Sequence, residues 1–177
     1  FSTTFKEWEC RRAYTESLRE ILSGMLFSDS LTLASLESRF VKDASYLRIP
    51  EYLTVMDRYV RMWTRLYAHS KSMPEGEELA DLRLRSIREH VKQADVAGYL
   101  VDITLFPLAE LGIERYHTVF HEYVKDPARI ALYDASAARA KKMEKGQPFP
   151  NFTFYDYKGR KVSLADLRGK IVFIDIW

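Results

Sequence analysis

Apolar residues recur at helical spacing from the N-terminus to about residue 144. Phe5, Trp8, Leu18, Ile21, Leu22 and Met25 form the first stripe. Thr4 and Glu7 fit a capping box, in which each side chain satisfies an open backbone donor at the helix start. Ser28, Asp29 and Ser30 break the pattern and predict the cap of a second helix, with Leu33, Leu36, Phe40 and Ala44 on one face. Pro50 suits a first helical turn, where its missing N–H costs nothing. Behind it Leu53, Met56, Val60, Trp63 and Tyr67 make a clear stripe. A polar loop containing Pro74 follows, and then a helix carrying Ala80, Leu84, Ile87, Val91 and Ala94. Val101, Leu105, Leu108 and Leu111 keep the same period, with Gly98 and Pro107 interrupting it. Pro107 is predicted to kink or divide that segment, because it removes one backbone hydrogen bond and crowds the preceding turn. Gly112 reads as a C-terminal stop. Ile113, Tyr116, Phe120 and Tyr123 form a short further face. Asp126 and Pro127 open a last, alanine-rich helix. Lys141, Lys142 and Lys145 favour its C-terminal dipole, and Gly146 closes it.

Six or seven helices joined by short loops predict an all-helical domain over residues 1–145. A multi-helix bundle and stacked helical hairpins both satisfy the pattern. No fixed repeat period supports a consensus repeat array.

The pattern changes at Gly146. Three of the seven glycines and two of the six prolines, Pro148 and Pro150, lie beyond Lys145. Residues 152–155 and 161–164 flank a turn at 156–160 and predict a β-hairpin. Ser163 to Leu167 fits one helical turn. From Ile171 to Trp177 the chain is nearly all apolar and rich in β-branched residues, which suits a strand covered on both faces. Without sheet neighbours, Ile171 to Ile176 is expected either to lack order or to pair with another chain. The expected fold is mainly α, followed by an incomplete α/β segment over residues 146–177.

Charge narrows the function. Lys and Arg total 27 against 25 Asp and Glu, a net charge of +2, and no basic stripe marks a nucleic-acid partner. No apolar run is long enough to span a membrane. The chain begins at Phe1 and is read as a segment of a longer precursor. Cys10 is the single cysteine, so neither an internal disulfide nor a cysteine metal cluster can form. It is read as an inert helix residue.

Glu114, His117 and His121 share one helical face by their spacing, and two imidazoles four residues apart can chelate zinc. This pattern is common by chance, so the reading is that no metal and no cofactor are held. His69 and His90 are expected at the surface, and residues 83–92 as a solvated, ion-paired helix face. The 11 Tyr and 10 Phe mostly follow the stripes and are expected in the core, with a Tyr-lined ligand groove as the alternative. No phosphate loop, nucleophile elbow or hydrolase triad is present.

One order of motifs adds an activity. It runs Gly146-x-Pro148-x-Pro150-x-Phe152, Asp156-x-x-Gly159, Val162-Ser163-Leu164, Leu167-x-Gly169-Lys170, an apolar run, then Trp177. This resembles the entry into a thioredoxin-like domain of the TlpA-like thiol-disulfide oxidoreductases. Peroxiredoxins share the early part, and Trp177 favours the oxidoreductases. The resemblance implies a Cys-x-x-Cys pair a few residues beyond the position of Trp177, on a helix N-terminus that stabilises a thiolate. It implies a bacterial periplasmic or cell-envelope location, and exported proteins with disulfides as partners. Asp175 matches the position of a buried acidic residue that relays a proton in thioredoxins, and Trp177, Pro148 and Pro150 are the structural residues near that site. The expectation is an N-terminal fragment of such an enzyme, redox-inactive by itself. The alternatives are a helical partner- or ligand-binding module tethered to a redox domain, and a peroxiredoxin-type parent.

Overall fold

The computed structural model describes residues 3–24, 30–37, 39, 44–68 and 75–173. Among them are seven α-helices: α1 (Thr3–Gly24), α2 (Ser30–Glu37), α3 (Pro50–Ala68), α4 (Gly76–His90), α5 (Ala94–Glu110), α6 (His117–Tyr123) and α7 (Pro127–Lys142). Short 3₁₀ turns lie at Ala44–Arg48, Glu114–Tyr116 and Leu164–Leu167. Strands β1 (Thr153–Tyr155) and β2 (Lys161–Ser163) pair antiparallel, with Phe154 opposite Val162.

The helices pack in a neighbour-to-neighbour succession. α1 lies on α3, α3 on α4, α4 on α5, and α5 on α6 and α7. This is the order of stacked helical hairpins. α3 holds the middle, packed against α1, α2, α4 and the 3₁₀ turn at Ala44–Arg48. Tyr52, Met56, Tyr59 and Val60 are fully buried, and burial pushes the Tyr52 and Tyr59 hydroxyls up to about 12. The hydrophobic core among the described residues runs from Leu18 to Tyr133 and takes no residue from the hairpin segment.

Local chemistry sets the helix ends. Pro50 and Pro127 occupy first helical turns. The Asp126 side chain caps α7 by accepting from the Ala128 N–H at 3.0 Å. Gly112 adopts φ +80, and the N–H groups of Ile113 and Gly112 close onto the carbonyls of Leu108 and Ala109 at 2.9 and 3.0 Å. That paired closure is a Schellman stop, which needs a left-handed residue.

Several expectations are corrected. Pro107 does not divide α5, which runs unbroken from Ala94 to Glu110. The carbonyl that Pro107 leaves without its helical donor belongs to Ile103, a residue exposed to water. Thr4 lies inside the first turn of α1, not at its cap. Phe5 and Trp8 stack on each other but stay exposed, so the apolar stripe of α1 enters the core only near Leu18 and Leu22.

Residues 83–92 are not simply a solvated face. Arg83 is 8% exposed and bonds Asp57 of α3 at 2.6 Å and Thr104 of α5 at 3.1 Å. Burial alone would raise the Asp57 carboxyl, but the hydrogen bonds and charges of Arg83 and Arg61 hold it below its ordinary value. His90 is likewise no free surface residue. Its ring stacks on Trp63 at 3.7 Å, and its two nitrogens meet the Tyr67 hydroxyl at 2.7 Å and Glu37 at 3.4 Å. α2, α3 and α4 are thereby clasped together. His69 lies outside the described residues.

Candidate functional site

The segment after Lys145 is organised by polar side chains gripping backbone. Asp156 accepts the N–H groups of Lys158 and Arg160 at 2.8 and 2.9 Å, and Gly159 supplies the left-handed residue of the turn at φ +73. Those backbone bonds, led by the one from Arg160, hold the Asp156 carboxyl below the usual range. At the far end of β2, Ser163 and Asp166 form a capping box around the 3₁₀ turn. Asn151 reaches across to the Ala165 N–H at 2.9 Å, and Leu164 N–H bonds the Phe152 carbonyl at 3.0 Å. These two contacts staple the Pro-rich entry to the hairpin exit.

The same segment leaves its apolar side chains bare. Phe149 meets Phe152 edge-on and Phe152 meets Phe154 at a tilt, and all three are exposed. Pro148 and Pro150 are exposed beside them. Ile171 to Phe173 are exposed and form no strand, so the expected strand is not found over those three residues. Ile171 and Phe173 reach 103% and 89% exposure, a side-chain surface that folded proteins normally cover. The rest of the expected strand, with Asp175 and Trp177, lies outside the described residues.

Two further features belong to the helical region. Between the 3₁₀ turn at Ala44–Arg48 and helices α5 to α7 lies a cleft of about 720 Å³. Leu47, Val91, Tyr99 and Tyr123 line its apolar side, and Asp102 and Arg129 its polar side. Arg129 bonds both Asp102 oxygens at 2.8 and 2.7 Å and lies over the Phe106 ring. This ion pair fixes the wall between α5 and α7.

The second feature is a histidine pair. His117 and His121 stack at 4.2 Å on one face of α6. Their Nε2 atoms meet the same Asp134 oxygen of α7 at 3.2 and 2.8 Å. Glu114, grouped with them by sequence spacing, instead pairs with Lys141 at 3.0 Å. Asp134 escaped the sequence reading because it sits on another helix; its own spacing carries no signal of the pair. Cys10 is an exposed free thiol in α1, and no other cysteine exists to pair with it.

Part of the chain is similar to thiol-disulfide oxidoreductases. It is 44% identical over 48 residues to the thiol-disulfide oxidoreductase ResA of Bacillus thuringiensis (strain Al Hakam), covering 27% of this chain and 28% of that protein. The Bacillus anthracis protein of the same name gives the same figures. That of Bacillus subtilis (strain 168) is 37% identical over 46 residues, 26% of each chain. The chain thus spans little more than a quarter of the curated relatives it matches. No family model and no solved structure matches the chain.

Proposed function

We propose that this chain forms the N-terminal part of a bacterial cell-envelope thiol-disulfide oxidoreductase. The helical region carries the opening segment of a thioredoxin-like domain, residues 146–177. The observation that carries this reading is the local identity to thiol-disulfide oxidoreductases. The hairpin, its capped 3₁₀ turn and the bare apolar row support it, since they have the form of a sheet edge awaiting its remaining strands.

Disulfide exchange needs an attacking thiolate and a second thiol that resolves the mixed disulfide. Cys10 supplies one thiol without a neighbour, so this chain alone lacks the pair. In the parent protein, a Cys-x-x-Cys at a helix N-terminus would provide both thiols, and Asp175 would move a proton beside them. Proteins with disulfides outside the cytoplasm are the substrates under this reading.

The direct test is the parent coding sequence beyond the codon for Trp177. A Cys-x-x-Cys within a few codons is the expected result. A helix-forming sequence without paired cysteines there overturns the reading.

A second reading rests on the cleft beside Tyr99 and Tyr123. Its mixed lining, with a fixed Asp102–Arg129 pair, suits a peptide or small polar ligand. In this reading the helical region recruits a partner for the redox domain. Substituting Tyr99 and Tyr123 with Ala would then weaken partner capture by the parent protein and leave insulin reduction unchanged.

A further inference from the structure

We propose that His117, His121 and Asp134 form a zinc site that joins α6 to α7. His117 opens α6 and His121 follows one turn later, so both imidazoles leave the same face. Asp134 comes from the facing side of α7. One ligand atom from each residue lies within 4.8 Å of the other two.

The separations fit the ion. Zinc bound at about 2.0–2.1 Å in a tetrahedron holds its ligand atoms about 3.3 Å apart. The two imidazole nitrogens stand 3.2 and 2.8 Å from one Asp134 oxygen. Lengthening the His121–Asp134 contact by about half an ångström brings both nitrogen–oxygen separations to that spacing, and His117, which is half exposed, has room to turn.

The base of the site is rigid. Tyr133, beside Asp134, is buried and stacks on Phe120 of α6 at 3.7 Å. That contact sets the spacing of the two helices below the donors. The His121 ring also meets Tyr133 edge-on, which restricts its rotation. The donor set has two nitrogens and one carboxylate oxygen, a combination zinc accepts readily. Three protein ligands leave the fourth tetrahedral position open to water or to a donor from another molecule. Among the described residues this is the one cluster of His, Cys, Asp and Glu with such convergence.

Zinc itself is the probe. A tag-free Cys10→Ser chain removes the free thiol as a competing ligand and is titrated with Zn²⁺ against a chromophoric chelator. One equivalent should bind, and Co²⁺ should give the intense visible bands of a four-coordinate ion. Separate His117→Asn, His121→Ala and Asp134→Asn substitutions should each weaken binding by more than the roughly 10- to 100-fold typical of outer-shell partners. Glu114→Gln should leave affinity unchanged, because that carboxylate faces Lys141. Circular dichroism shows whether each variant stays helical; His117→Asn, at an exposed position, keeps the test valid if His121→Ala does not. No binding by the Cys10→Ser chain, or binding that survives both His117→Asn and Asp134→Asn, overturns the site.

Discussion

Replacing Arg83 with Met would leave the Asp57 carboxylate facing Arg61 alone, at a half-buried position. Removing one partner of a buried ion pair costs far more than the intact pair contributes, because the other charge stays desolvated. With Arg61 still beside Asp57, Arg83→Met should lower stability by about 1–3 kcal/mol in chemical denaturation. The pair also has a pH signature. Asp57 titrates below its ordinary value of 3.8 in the folded chain, so its stabilisation is complete above that value and is lost as pH falls through the folded pKa. The stability gap between the native chain and Asp57→Asn should then narrow in acid below about pH 4. A gap that stays constant from neutral pH to acid contradicts the assignment. Neither Arg83 nor His90 was legible in the sequence. Arg83 lies 26 residues from Asp57, and His90 lies 53 from Glu37. Helical spacing locates a side chain on its own helix but does not say what faces it. Asp134 was missed for the same reason.

Helix boundaries were legible wherever one residue supplies the physics. Asp126 with Pro127, and Gly112 with its left-handed backbone, act within one turn of chain. The hairpin was legible too, since Gly159 and Asp156 build its turn locally. Pro107 leaves α5 undivided, because the cost of a helical Pro depends on whether water reaches the freed carbonyl, which is a property of packing. Gly98 shows the same dependence. A Cβ at Gly98 would stand 2.8 Å from the Tyr123 backbone oxygen, so its bare Cα lets the end of α6 approach α5. Helix propensity alone favours Gly98→Ala by about 1 kcal/mol. Overpacking against backbone should reverse the sign and destabilise by about 1–3 kcal/mol. A higher melting temperature for Gly98→Ala would show that α6 moves aside freely.

At the scale of the molecule, two parts differ in what they bury. The helical region closes its own core between Leu18 and Tyr133, and no helix of the described residues is long and apolar enough to cross a membrane. Because the hydrophobic core among the described residues takes no residue beyond Tyr133, a chain ending at Lys145 should remain helical and cooperative in thermal melting. Loss of cooperativity would mean that the hairpin segment completes the core. Residues 146–173 are held by turns and caps, while Phe149, Phe152 and Phe154 remain exposed. In the proposed parent, further strands would cover that row and pair with the run that begins at Ile171. Insulin-disulfide reduction with dithiothreitol tests this most directly, using this chain, its Cys10→Ala variant and the parent protein continued beyond Trp177. Turnover is expected from the continued protein alone, with this chain and its Cys10→Ala variant at the uncatalysed rate. Turnover by this chain above the Cys10→Ala rate, or an inert continued protein, would contradict it.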